Sequence, residues 1–196
     1  MDYRQQLRDK VREAYSSAAE RPKEKHPFPV GRAFAESIGY PAEVLDSLPA
    51  VSVASFTGVS NVSIFADIPR GSAVLDLGCG AGLDTFVAAE RTGPEGRVVA
   101  VDFSEAMIGR ARQGAQEYGC SYVTFHVADA EEIPLPDDSV DIALVNGIFN
   151  LSPFRDRVFS ELARVLREDG SAYGAELILR EPLPAETTCS LENWFR

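Results

Sequence analysis

Five short apolar runs alternate with helix-like segments from Gly71 onward, and that alternation restricts the chain to very few architectures. The runs are "SAVLDL", "RVVAVD", "YVTFHVAD", "VDIALVN" and "SAYGAELILRE". Each reads as a short buried strand, and the segments between them carry helical spacing of apolar residues. Strands alternating with helices make βαβ units, hence a parallel sheet covered on both faces, with right-handed crossovers. The expected fold is α/β, a doubly wound sheet ordered 3-2-1-4-5. Its topological switch point, where ligands bind, lies at the exit of the first strand.

Local signals mark where the elements begin and stop. Ser104 is a natural N-cap for the helix "SEAMIGRARQGAQEYG", and Gly119 a natural stop. The helix "FRDRVFSELARVLRED" places Val158, Leu162, Val165 and Leu166 on one face and is expected to end at Gly170. Near the start, residues 2–20 read as a helix with Leu7, Val11, Ala14, Tyr15 and Ala18 on one face. The link "RPKEKHPFPVGR" is too rich in proline for regular structure. Another short helix is expected at "PAEVLDSL", with Pro41 in its first turn. Residues 51–70 give no clear signal. The expected organisation is an N-terminal helical lid and linker over 1–70, a ligand-binding core over 71–181 and a C-terminal tail over 182–196.

Length and charge narrow the function classes. A chain of 196 residues suits one domain with a full core. Its formal net charge of −11 opposes a nucleic-acid partner, which needs clustered Lys and Arg. No stretch resembles a membrane span of ~20 apolar residues. The first residues lack a signal-peptide core, so a cytoplasmic location is expected. Cys79, Cys120 and Cys189 fit neither a zinc site nor a disulfide framework, and no metal is expected. Of the two histidines, His126 lies within the third strand and reads as structural. His26 lies in the link and either faces the cleft or is a plain loop residue.

The stretch "LDLGCGAGLD" is the glycine turn at the switch point. A dinucleotide fingerprint needs G-x-G-x-x-G. Gly78 and Gly80 match, but the third position holds Leu83, and Gly82 comes one residue early. Asp76 precedes the turn, where a carboxylate repels a pyrophosphate and favours a cationic ligand. The turn resembles motif I of class I S-adenosylmethionine-dependent methyltransferases, whose Rossmann-like fold agrees with the strand pattern.

That resemblance implies S-adenosylmethionine as cofactor. Asp102, at the end of the second strand, can accept both ribose hydroxyls, a charge-assisted contact. Phe103 lines the adenine pocket, and Asp129 and Ala130 meet the adenine edge. Met107 and Asn146 complete the implied cofactor set. Methyl transfer from a sulfonium needs little acid–base help, so positioning supplies most of the catalysis, and no catalytic side chain is assigned.

Further along, "VREAYSSAAE", "SVDIALVNGIFNLSP" and "VFSELARVLREDG" resemble the arsenite methyltransferase family. Members bind trivalent arsenic through cysteine thiolates. The corresponding positions here hold Val59 and Gly147, neither of which ligates a soft metalloid. With Ile148 and Phe149 they are expected to line a pocket for a small-molecule methyl acceptor. A non-catalytic cofactor-binding relative and an arsenite enzyme using unmatched thiols remain as alternatives. The tail after the fifth strand is shorter than the family's usual final strands. Trp194 and Phe195 within it suggest docking, with a homodimer as one possibility.

Overall fold

The computed structural model describes residues 3–181. The tail 182–196, with Cys189, Trp194 and Phe195, lies outside the described residues. Strands β1 (Ala73–Leu77), β2 (Arg97–Asp102), β3 (Val123–Val127), β4 (Val140–Asn146) and β5 (Leu166–Ala175) form one sheet in the order β3-β2-β1-β4-β5. All four pairings are parallel. The fold is therefore the expected Rossmann-like one, with β1 at the centre.

Alternation along the strands assigns side chains to two cores. Val74, Val98, Ile142 and Leu144 enter the core on one face. Leu75, Leu77, Val99, Val101, Ala143 and Val145 enter the other. Both faces of β1 are buried throughout, which is why its sequence is an apolar run rather than an alternating one.

On the first face lie α6 (Leu83–Thr92) and α7 (Glu105–Tyr118). Ser104 caps α7 by accepting the Met107 N–H at 3.3 Å, and Gly119 ends it in the left-handed region, both as expected. On the second face lies α8 (Arg155–Val165), which buries Val158, Leu162 and Val165.

The N-terminal part is helical in short pieces. Helix α1 spans Tyr3–Glu20 and buries Leu7, Val11, Ala18 and Ala19. After the link come α2 (Arg32–Ser37), α3 (Ala42–Ser47, with Pro41 as its N-cap), α4 (Ala50–Ala54) and α5 (Val62–Phe65). The last two fill the stretch that sequence patterning leaves blank. Helices of four or five residues are too short to show periodicity, and burial of Val53 and Val62 against the sheet holds them.

One expectation fails. Gly170 does not end a helix: α8 stops at Val165, and Leu166 already pairs with Val140. The register then jumps, so that Ser171 pairs with Ile142, and the intervening residues bulge from the sheet edge. Arg167 sits in that bulge and ion-pairs with Asp141, whose other oxygen accepts the Ala73 N–H at 2.7 Å. Extended pairing of Leu166 outcompetes the helical spacing that "LRED" continues. The strand accordingly ends at Ala175, earlier than the apolar run implies. Beyond it Leu177, Ile178 and Leu179 are largely exposed. No helix among the described residues is long and apolar enough to cross a membrane.

Phe86 is the bolt of the first face. It is fully buried, and its ring packs on Tyr118 and Phe125 at centroid distances of 5.6 and 6.5 Å. Phe86→Ala is expected to cost about 3–5 kcal/mol of stability, read as a lower urea midpoint.

Candidate functional site

A cleft opens at the carboxyl ends of the strands. Its floor is the turn from Gly78 to Ala81, where the Gly78 and Cys79 N–H groups donate to the Val101 carbonyl at 2.8 and 3.0 Å. The turn needs glycine first for conformation and then for space. Gly78 has φ +78°, and a Cβ there would lie 2.2 Å from Cγ2 of Ile148, which roofs it. Gly147 has the same φ, and a Cβ there would meet Cγ1 of Val59 at 2.8 Å. Val59 and Gly147 are therefore neighbours across the cleft rim.

Asp102 ends β2 on the cleft wall. Its Oδ2 accepts the Gly80 N–H at 2.9 Å and its Oδ1 the Ser104 N–H at 2.8 Å. Burial raises its pKa to about 6, against the opposing pull of those N–H groups. Each oxygen keeps a lone pair for a ligand donor.

Of the other residues expected at the site, Gly78, Gly80, Phe103, Asp129, Ala130, Asn146, Gly147 and Ile148 line the cleft. Asp76 does not. It is buried beneath the floor and accepts the Thr85 hydroxyl at 2.5 Å. Burial and the nearby Asp84 charge push its carboxyl well above the usual range. Gly82 is the left-handed N-cap of α6, packed on Phe86 and Ala111. Met107 is buried with Ala18, Ala19 and Ala81 under α1. Val59 stands behind Gly147, and Phe149 turns outward to stack on Phe159 at 4.6 Å. His26 bonds to the Arg21 carbonyl, and neither histidine lines the cleft.

Asn146 lines the cleft, but its side chain is committed to the scaffold. Its Oδ1 accepts the Val59 and Ser60 N–H groups at 2.8 and 3.1 Å. Its Nδ2 donates to the Ser60 carbonyl at 2.7 Å and to Oδ2 of Asp84 at 2.8 Å.

Sequence reasoning passes over several cleft residues. Asp84, 6% exposed, lines the cleft and also accepts the Tyr40 hydroxyl at 2.5 Å and the Ser63 N–H at 3.2 Å. The available signal was its place in the first turn of α6, where a carboxylate is favoured. Arg8 and Tyr15, on α1, also line it. Their i, i+7 spacing puts them on one face beside Val11. Arg8 pairs with Asp129 at 2.5 Å, and Arg12 lies over the Phe103 ring at 5.5 Å. Burial pushes the Tyr15 phenol well up, so it stays protonated. On α4 and its end, Ser52 and Ser55 line the cleft with buried hydroxyls that have no partner. Ser63 on α5 has one as well, away from the cleft, and the Ser52 hydroxyl packs close to Gly114 of α7.

Comparison with known proteins agrees with this geometry. The methyltransferase-domain family matches residues 68–195. The chain is 36% identical over 149 residues to an arsenite methyltransferase of Halobacterium salinarum, covering 76% of this chain and 38% of that protein. It is 35% identical over 127 residues to the nocamycin O-methyltransferase of Saccharothrix syringae, covering 64% and 42%. Among solved structures, an arsenic(III) S-adenosylmethionine methyltransferase from Chlamydomonas reinhardtii superposes with a TM-score of 0.61 at 31% identity, over 81% of this chain and 53% of that one. The chain spans less than half the length of these two curated relatives.

Removing the Asn146 amide strands the Val59 and Ser60 N–H groups and takes a donor from Asp84. Asn146→Ala is expected to lose about 2–4 kcal/mol, the scale for several unsatisfied buried groups. Chemical denaturation measures it, and a loss under about 0.5 kcal/mol would contradict the scaffold role.

Proposed function

The chain belongs to the class I S-adenosylmethionine-dependent methyltransferases, and we propose that it transfers the methyl group of S-adenosylmethionine to a small-molecule acceptor. The observation that carries this reading is the cleft at the switch point, with a glycine floor and an acceptor-rich wall built on Asp102. Those groups fit a ligand that carries hydroxyls, a cationic centre and a carboxylate. They do not fit a pyrophosphate.

Asp102 receives the ribose hydroxyls on its remaining lone pairs, and Phe103 packs against the adenine. Ala130 offers backbone to the adenine edge. Asp129 serves that edge while paired with Arg8, so α1 covers the adenosine end as a lid. The bound cofactor supplies an electrophilic methyl on a good leaving group. Val11, Tyr15, Ile148, Leu151 and Pro153 form a mostly apolar wall that orients the acceptor and excludes water. Orientation of this kind accounts for much of the rate when the leaving group is good. The direct test is calorimetric binding of S-adenosylmethionine, followed by labelled-methyl transfer across a panel of small organic acceptors. Absence of binding would overturn the proposal.

Asp102 makes the binding pH-dependent. Donated hydroxyls favour its carboxylate form, so affinity falls as pH drops through about 6. Between about pH 7.5 and about pH 5 the loss is expected to be roughly tenfold, and Asp102→Asn abolishes the dependence. A flat wild-type profile would remove Asp102 from the ribose. The same raised pKa acts on ligand-free stability in the other sense. Its contribution is full below the unfolded value of 3.8 and is lost as pH rises through about 6.

Arsenite is not expected to be an acceptor. Cys79 is buried in the turn, where burial raises its thiol well above the usual range. Cys120 precedes β3, at the opposite end of the sheet from the cleft. Trivalent arsenic needs converging thiolates, and the two cysteines among the described residues stand at opposite ends of the sheet. Mass-spectrometric speciation after incubation with arsenite, S-adenosylmethionine and a thiol reductant should find no methylated arsenic above the enzyme-free control.

A further inference from the structure

The segment between β4 and α8 is braced from several sides and holds Ile148 against the cleft floor. The Gly147 N–H donates to the Ala175 carbonyl at 3.0 Å, and the Asn150 N–H to Oε2 of Glu176 at 3.0 Å. The Ile148 carbonyl itself accepts the Leu151 and Ser152 N–H groups at 3.0 and 3.2 Å. The Ser152 hydroxyl donates to Glu131 at 2.6 Å, and the Arg155 side chain to the Phe149 carbonyl at 2.9 Å. Phe149 stacks outward on Phe159, whereas Ile148 lines the cleft.

Ile148 covers the floor at one place. The three atoms nearest to a Cβ at Gly78 would all belong to Ile148, the first of them Cγ2 at 2.2 Å. Gly80 has no such cover: a Cβ there would meet only Sδ of Met107, at 3.9 Å. A β-branched side chain has few χ1 rotamers open to it, and the hydrogen bonds around Ile148 keep its backbone from swinging aside. Its side chain also packs on the second core. Ile148 is therefore a stiff apolar block standing on Gly78.

Strand order decides which part of a ligand meets that block. Asp129 and Ala130 follow β3, Asp102 ends β2, and Gly78 follows β1. With the adenine at the β3 end and the ribose at the β2 end, the sulfur, one carbon from the ribose, falls at the β1 end, beside Ile148. We propose that Ile148 is a specificity-determining residue that fills the space beside the sulfonium and limits the transferable group accepted there to methyl. The inference rests on the methyltransferase reading. A longer alkyl group would have to displace a side chain whose rotamer and backbone are both held. One methylene too many in an apolar pocket costs roughly 10- to 200-fold.

The test is calorimetry of the full chain with S-adenosylmethionine and with S-adenosylethionine, whose sulfonium carries ethyl in place of methyl. Wild type, Ile148→Ala and Ile148→Val are compared. Wild type is expected to bind the methyl sulfonium at least about tenfold more tightly than the ethyl one. Ile148→Ala should narrow that ratio to about threefold or less by tightening the ethyl sulfonium. A wild-type ratio near unity would overturn the proposal. So would an alanine variant whose ratio stays at the wild-type value, or narrows only because S-adenosylmethionine binds more weakly. Should the alanine variant fail to fold, Ile148→Val decides, since it removes one methyl group and keeps the branch over Gly78. It should narrow the ratio in the same sense, and an unchanged ratio overturns the proposal. Wild-type protein that binds neither sulfonium would instead refute the methyltransferase reading, a distinguishable result.

Discussion

The hydrogen bond from Asn146 to Asp84, 2.8 Å long, joins the parts of the molecule that must agree for a cleft to exist. Asn146 is the last residue of β4, and Asp84 stands in the first turn of α6. Through the other atoms of the same two side chains the segment from Val59 into the start of α5 and the Tyr40 hydroxyl are drawn in. Strand end, helix start and N-terminal segment are thereby locked at one point beside the glycine floor. Gly58 belongs to the same lock: a Cβ there would lie 2.6 Å from Nδ2 of Asn146. Because buried polar groups are expensive when unpaired, this small network resists sliding of the N-terminal helices over the sheet.

Electrostatics divide the cleft in two. At the outer end, α1 brings Arg8 and Arg12 to Asp129 and Phe103, and Arg110 of α7 donates to the Ala19 carbonyl at 2.8 Å. Charge there is matched, and α1 is held by contacts on the surface of the cleft. At the inner end Asp84 and Asp102 are held by neutral donors and backbone N–H groups. A sheet with its strand ends gathered at one edge makes this arrangement cheap, since helix starts and turn N–H groups converge there.

Much of this was legible in the residues. The sheet order, the capped helix α7 and the place of the glycine turn follow from local patterns, because each depends on neighbours within one helix turn or one strand. Gly78, Gly80, Asp102, Phe103 and Asp129 follow from their positions at strand ends. Asn146 lines the cleft as expected for a ligand contact, but its scaffold bonds to residues 59, 60 and 84 were not legible, because those partners are remote along the chain. Asp76 was read as a cleft carboxylate and is covered by Thr85. Gly170 was read as a helix stop, whereas pairing of Leu166 with Val140 ends the helix earlier.

The sequence by itself therefore determined the alternation of elements, their topology and the end of the sheet at which the cleft opens, since hydrophobic period and turn residues are short-range properties. The tertiary structure alone decided which carboxylates face the cleft, which are neutralised and which serine hydroxyls go unpaired. Burial and charge balance are set by atoms from distant segments, and no local spacing encodes whether Arg8 reaches Asp129 or Asp84.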